Sequence, residues 1–257
     1  MERLKGKKAL ITGGAQGLGA CFAHMFADEG AKVAVTDINA DGAEATAASI
    51  NEKHPGAAIS FSHDVTDQEH WKRALAGTAE AFDGLSVLVN NAGIGTAGNI
   101  ETETFENFQR IQDVDVGSIF IGTQLAMPYL RNNTPGSIVN IASVAAYIAN
   151  GDSLSYNVAK AGVVMMTKSI ALHCTKQKLD IRCNSICPAF TRTPIIDPLI
   201  AFAGGDEAAE QKLVKGVPMR RIADPEEIGF TAIFLASDES RFVTATEIRV
   251  DGGMTAK

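Results

Sequence analysis

Short apolar runs alternate along the chain with longer segments whose apolar positions recur at helical spacing. The runs are KKALITGG (7–14), KVAVTD (32–37), AAISFSHDV (57–65), LSVLVNNAG (85–93), GSIVNIAS (136–143), DIRCNSICPA (180–189) and ATEIRVDGG (245–253). Several are apolar almost throughout, which predicts strands buried on both faces of a parallel sheet. Between them the spacing predicts helices from 20 to Gly30, from Asn39 to about Lys53, over 66–84, as one long helix over 101–132, from 156 to about Gln177, and over 224–237. Strand and helix alternate with no repeat and no linker. The pattern predicts an α/β fold: one domain over residues 1–257, a doubly wound parallel sheet of about seven strands with helices on both faces and right-handed crossovers. The stretch from Arg192 to Gly216 is helix-prone but broken by Pro194, Pro198 and Gly204-Gly205, so a movable lid is expected at about 190–217.

The strand ends carry candidate chemistry. After the first strand, Gly13, Gly17 and Gly19 surround Gly14, Ala15, Gln16 and Leu18 just before a helix. A strand, a glycine-rich turn and a helix start make a phosphate cradle, with helix N–H groups as donors. The spacing is neither GxGxxG nor that of a P-loop, and a plain strand–helix turn is the ordinary alternative. The second strand ends in Asp37, placed to accept hydrogen bonds from ribose hydroxyls and to repel a 2′-phosphate. Ile38 and Asn39 bring no arginine beside it, which favours NAD over NADP. Its ordinary alternative is a strand-end residue capping the next helix. The fourth strand breaks into Asn90-Asn91-Ala92-Gly93, more than a hairpin turn needs.

The fifth strand ends at Ser143, and Tyr156 and Lys160 follow at a helix start, one turn apart on one face. A free phenol is a poor base near neutrality, but an adjacent ammonium favours the phenolate. A hydroxyl such as Ser143 could bind the same substrate oxygen. Taken alone, this pair could equally be amphipathic decoration.

Composition narrows the field. A formal net charge of −7 argues against nucleic acid as a partner. No uncharged apolar run reaches the ~18 residues of a membrane span, and no apolar leader opens the chain. A soluble, cytoplasmic protein with no membrane partner is expected. Cys21, Cys174, Cys183 and Cys187 form no CxxC pair, so buried reduced thiols are expected, and the five scattered histidines show no ligand spacing for a metal.

Set in order, T12-GGAQGLG-19, Asp37, Asp64-Val65, N90-NAG-93, Ser143, Y156-NVAK-160, N184-SICPAFTRTP-194 and D251-GG-253 resemble the short-chain dehydrogenase/reductase family over the whole chain. The resemblance implies a Rossmann-type sheet and hydride transfer between NAD and a carbinol or carbonyl carbon. Tyr156 is then the acid/base, Lys160 the ammonium that favours its ionised form while binding the nicotinamide ribose, and Ser143 the group that holds the substrate oxygen. The cofactor contacts it implies are Gly13, Gln16, Gly17, Leu18, Gly19, Asp37, Ile38, Asp64, Val65, Asn91, Ala92, Gly93, Tyr156, Lys160, Pro188, Phe190 and Thr193. Association into a homo-oligomer, dimer or tetramer, is also implied.

Two positions depart from the family pattern. Asp115 stands where the family has an Asn thought to hold a water near the Lys, so Asp115 is placed with the catalytic group and an altered proton relay is expected. Ala189 replaces the usual Gly after Pro188. The segments expected to line the substrate pocket include Ser143, Val144, Ala145, Ala149, Asn150, Tyr156, Phe190, Ile195 and Leu199. Their apolar character suggests a hydrophobic, cyclic or steroid-sized secondary alcohol or its ketone as the small-molecule partner. The alternatives are a ketone or 3-oxoacyl reductase, and a dinucleotide-binding regulator without turnover.

Overall fold

The computed structural model describes residues 2–95, 97–197, 200–201, 204–205 and 207–256. Seven parallel strands lie in the order β3-β2-β1-β4-β5-β6-β7. They are β1 (Lys8–Thr12), β2 (Lys32–Asp37), β3 (Ala58–Ser62), β4 (Val87–Asn90), β5 (Gly136–Ile141), β6 (Ile181–Pro188) and β7 (Glu247–Val250). The order reverses between β1 and β4, which opens a crevice beyond the carboxyl ends of the strands.

Alternate side chains of each strand feed two cores. Ile11, Val33, Val35, Val89 and Val139 pack with Phe22 and Phe26 of α1 (Gly17–Asp28), Ile50 of α2 (Ala40–Lys53) and Ile228 and Ile233 of α8 (Pro225–Ala236). Leu10, Ala34, Leu88 and Ile138 pack on the opposite face with Trp71 and Leu75 of α3 (Gln68–Phe82), Leu130 of α5 (Ser118–Asn132) and Ala171 of α6 (Leu154–Lys176). Apolar strands therefore need helices on both sides, as their sequence predicts.

Local chemistry sets the helix starts. Asn39 accepts from Gly42 N–H, Asp67 from Glu69 and His70 N–H, and Thr104 from Asn107 N–H, each satisfying donors that the helix leaves open. The Thr104 cap corrects one expectation, because the long helix begins at Phe105 rather than 101. That helix is also not uniform: α4 (Phe105–Gln112) passes through a π-helical turn at Asp113–Gly117 before α5. Such widened turns accommodate an extra residue and turn its side chain off the regular face.

Within the stretch expected to form a lid, the described residues include a 3-10 turn at Pro194–Ile196, α7 (Glu207–Leu213) and a 3-10 turn at Val214–Gly216. Ile196, Val214, Val217 and Ile222 form a small core of their own. No helix is long and apolar enough to cross a membrane among the described residues. All four cysteines are free thiols, with Cys21 only half-buried.

Candidate active site

A cleft of about 2100 Å³ runs across the carboxyl edge of the sheet, from Asp37 and Ile38 at one end to Ile195 and Met254 at the other. At its first end, Gln16, Gly17 and Leu18 line the wall where α1 begins. No side chain caps this helix and no acid lies in its first turn, so its N–H donors are free for an anion. Asp37 is pinned by two backbone donors, Ala15 N–H to Oδ2 (3.0 Å) and Asn39 N–H to Oδ1 (2.9 Å). Among the described residues, the only basic side chains lining the cleft are Arg110, Lys160 and His63. The open helix start and the fixed carboxylate suit a pyrophosphate beside a ribose.

Thr12 and the paired amides stitch the strand ends together. Thr12 Oγ1 accepts from Asn91 N–H and Ala92 N–H, both at 3.0 Å, while Asn91 Nδ2 donates to Thr12 C=O at 2.8 Å. Asn90 Nδ2 donates to Asn140 Oδ1 (2.8 Å), and Asn140 Nδ2 to Thr167 Oγ1 (2.9 Å), a buried chain from β4 through β5 to α6. The asparagines thus fix the floor of the cleft to the helix that carries Tyr156.

On the second side, Ser143 caps a 3-10 turn at Val144–Ala146, its Oγ accepting from Ala145 N–H at 3.1 Å. Tyr156 lies in the first turn of α6 and Lys160 one turn on, with Nζ 5.4 Å from the phenol ring centroid. Lys160 Nζ donates to Ile141 C=O (3.3 Å) and ion-pairs with Asp115 (2.9 Å), which is fully buried. The other Asp115 oxygen accepts Ile94 N–H at 2.8 Å. Burial disfavours the Lys160 ammonium most strongly, but the Asp115 charge and the adjacent Tyr156 outweigh it and leave its pKa above the ordinary lysine value of 10.5. The ammonium is therefore held charged although its side chain is almost completely buried.

Comparison with known proteins settles the family. A family model described as enoyl-(acyl carrier protein) reductase matches residues 13–255. The NADP-dependent (R)-specific alcohol dehydrogenase of Lentilactobacillus kefiri is 37% identical over 100% of this chain and 99% of that protein. The chain belongs to the short-chain dehydrogenase/reductase family. These are oxidoreductases that bind a nicotinamide dinucleotide. The 3-beta-hydroxysteroid dehydrogenase of Comamonas testosteroni is 36% identical over 98% of this chain and 97% of its own length. Levodione reductase superposes with a TM-score of 0.92 at 30% identity, covering 98% of each chain.

Within this dehydrogenase/reductase fold the cleft gathers most of the residues singled out in the sequence. Gly13, Gln16, Gly17, Leu18, Asp37, Ile38, Asp64, Val65, Asn91, Ala92, Gly93, Pro188, Phe190 and Thr193 line it, as do Ser143, Val144, Ala145, Asn150, Tyr156, Lys160 and Ile195. Three others do not. Gly19 is buried behind the turn, where a Cβ would come within 2.0 Å of Gly13 C=O, so it permits close packing rather than touching a ligand. Ala149 is exposed and is not part of the cleft lining. Asp115 is sealed from the cleft and reaches it only through Lys160 and Ile94. Leu199 lies outside the described residues.

One wall was missed. Glu106, Arg110, Asp113 and Gly117 line the cleft from α4 and the π turn, together with Val114 and Ile121. Their three- and four-residue spacing marks a single helical face, and that regularity was available in the sequence. Met254, from the turn after β7, had no local signal. Among the described residues no cluster of three or more His, Cys, Asp or Glu side chains is arranged to hold a metal.

Proposed function

We propose that this protein is an NAD(H)-dependent oxidoreductase that interconverts a hydrophobic secondary alcohol and its ketone. The observation that carries the cofactor choice is Asp37: a carboxylate fixed at the end of β2, facing the cleft beside Ile38 with no lysine or arginine next to it in the chain. A ribose diol could donate to its remaining lone pairs, whereas a 2′-phosphate would meet uncompensated negative charge. The uncapped start of α1 supports a pyrophosphate site, and in this reading Pro188 and Thr193, which line the same cleft, hold the carboxamide end of the nicotinamide.

Bound there, the dinucleotide supplies the hydride acceptor or donor, and the protein supplies position and proton handling. Tyr156 exchanges the proton with the substrate oxygen. Lys160 keeps its positive charge 5.4 Å from the ring centroid, so an oxyanion left on the phenol has a cation at hand. Ser143 offers its hydroxyl to the same substrate oxygen. Asp115 keeps the ammonium charged and fixes it to Ile94.

Ile94, Val144, Ile148, Phe190, Ile195, Ile196 and Met254 give the substrate end an apolar lining. The names of relatives support a ring-bearing carbinol: one, from Sphingobium indicum, is a 2,5-dichloro-2,5-cyclohexadiene-1,4-diol dehydrogenase at 39% identity. The segment at 190–217 acts as the cover in this reading, its small core resting on Met254. Exposed Phe120, Val158, Met165 and Leu172 on α5 and α6 support a homo-oligomer as part of the same proposal.

Absorbance at 340 nm tests the whole reading. NAD and NADP are each offered with secondary alcohols, hydroxysteroids, 3-hydroxyacyl thioesters, polyols and aldohexoses. Reduction of NAD by an apolar alcohol is expected. Preference for NADP overturns the Asp37 argument and aligns the cofactor with that of the NADP-dependent alcohol dehydrogenase relative; faster turnover of sugars overturns the substrate class.

A further inference from the structure

Tyr156 is gripped from both sides in sequence by side chains of a single preceding segment. Lys160, one turn after it, is held by Asp115. Ser155, immediately before it, is completely buried and is held twice. Its hydroxyl donates to a carboxylate oxygen of Glu103, and its C=O accepts from Gln112 Nε2 at 3.0 Å. Glu103 is itself fixed by Asn107 Nδ2 at 2.7 Å. These two acceptor bonds hold the Glu103 carboxyl below its usual range, so it is an obligate acceptor near neutrality.

The same place is zipped by backbone. Gly98 N–H donates to Asp152 C=O (2.9 Å), and Leu154 N–H to Gly98 C=O (3.1 Å). A Cβ at Gly98 would lie 3.0 Å from the Glu103 carboxyl group, so the glycine lets the carboxylate sit against this segment without shifting. Helix α6 needs such help, because Ser153 provides no side-chain cap and its first turn contains no acid. A carboxylate supplied from outside complements the dipole of the helix start while it holds the Ser155 hydroxyl. Both zipped segments also line the substrate end of the cleft, through Gly98, Asn99 and Thr102 on one and Asn150, Asp152 and Ser153 on the other.

We propose that Glu103 is a positioning residue for Tyr156: through Ser155 it locks the first turn of α6 and ties the phenol's placement to the loop at the cleft mouth. The inference rests on Tyr156 being the acid/base, and its test has one arm that does not need turnover. Hydrogen–deuterium exchange is followed over the first turn of α6, and steady-state rates are measured with NAD and cyclohexanol, in Glu103→Ala, Glu103→Gln, Ser155→Ala and the Glu103/Ser155 double alanine variant.

Faster exchange at the helix start is expected in Glu103→Ala and Ser155→Ala. With it should come a kcat loss of about 10-fold while the KM for NAD stays within about twofold, since small misplacements of a catalytic group are costly. Glu103→Gln, whose amide oxygen still accepts the hydroxyl, should recover most of kcat, and the double variant should be no worse than either single one. Ser155→Ala carries the test should Glu103→Ala fail to fold. Unchanged exchange, an unchanged kcat despite faster exchange, or losses that multiply in the double variant would each overturn the proposal. If the wild type leaves cyclohexanol untouched, the substrate class is wrong while the exchange result still decides whether the latch exists.

Discussion

Asp37 and Asp115 are both carboxylates at the carboxyl edge of one sheet, and they are held by opposite means. Asp37 meets only backbone N–H groups and keeps free lone pairs toward the cleft. Asp115 is fully buried, pairs with the Lys160 ammonium at 2.9 Å and has no path to the cleft of its own. The contrast extends to their surroundings. The end of the cleft near Asp37 is built from strand ends and an uncapped helix, which set backbone N–H groups beside that one carboxylate. The end near Asp115 is built from side chains reaching between α4, the π turn and α6, so it sets charge and position. In the proposed function, one end binds and the other reacts.

Breaking the buried pair should have the largest effect on stability. Asp115→Ala leaves an ammonium buried without a partner, which costs roughly 3–5 kcal/mol, read as a lower denaturation midpoint in urea. Because the folded pKa of Lys160 lies above 10.5, the pair's contribution is complete below that pH and fades as pH rises through the folded value. Asp115→Asn removes the charge that outweighs burial at Lys160, so its gap from wild type should narrow as pH rises and close once pH passes the folded wild-type pKa above 10.5. A gap that widens in alkali would contradict the pairing.

A second buried group sharpens the binding end. His63 is almost completely buried beneath the cleft, with Nδ1 2.9 Å from Thr36 Oγ1 and its ring edge-on to Trp71. Burial pushes its pKa from 6.5 down to about 4. The unfolded chain takes up the proton first, so stability should fall as pH drops from 6.5 towards 4, by about 3 kcal/mol in all. His63→Gln should flatten that slope in melting curves recorded across the same pH range; an equally steep slope would remove His63 from the acid response.

The effect at Asp37 is smaller and falls on selectivity. Asp37→Ala should raise kcat/KM for NADP relative to NAD by about 10- to 100-fold, with each 1.36 kcal/mol giving a decade, and lower the stability of the fold by only about 1–2 kcal/mol as Ala15 and Asn39 N–H lose their acceptor. No shift in that ratio would mean that the carboxylate does not face the ribose.

The binding end was largely legible in the sequence, and the reacting end only in part. Strand periodicity fixes where β1, β2 and β4 stop, and the chemistry of the glycine turn, Asp37 and Asn91 follows from those stops. Tyr156 and Lys160 were also legible, since they share one helix. Asp115 was visible as an odd residue close to Lys160, but its complete burial was not, since no local pattern announced the π turn that carries it. Glu103 and Ser155 are 52 residues apart in sequence and meet only in the fold. Gly19 shows what the sequence leaves open, because turn glycines look alike whether they make room for a ligand or for the backbone of a neighbouring turn.

The separation of binding from reaction is tested most directly in Tyr156→Phe, with NADH binding followed by fluorescence and alcohol oxidation followed at 340 nm in the same preparation. The account predicts NADH affinity within about twofold of wild type and turnover lower by about 10³-fold, the scale of a lost general acid/base. Turnover that survives would contradict Tyr156 as the proton carrier. Affinity that collapses with it would contradict the division of the cleft into two ends.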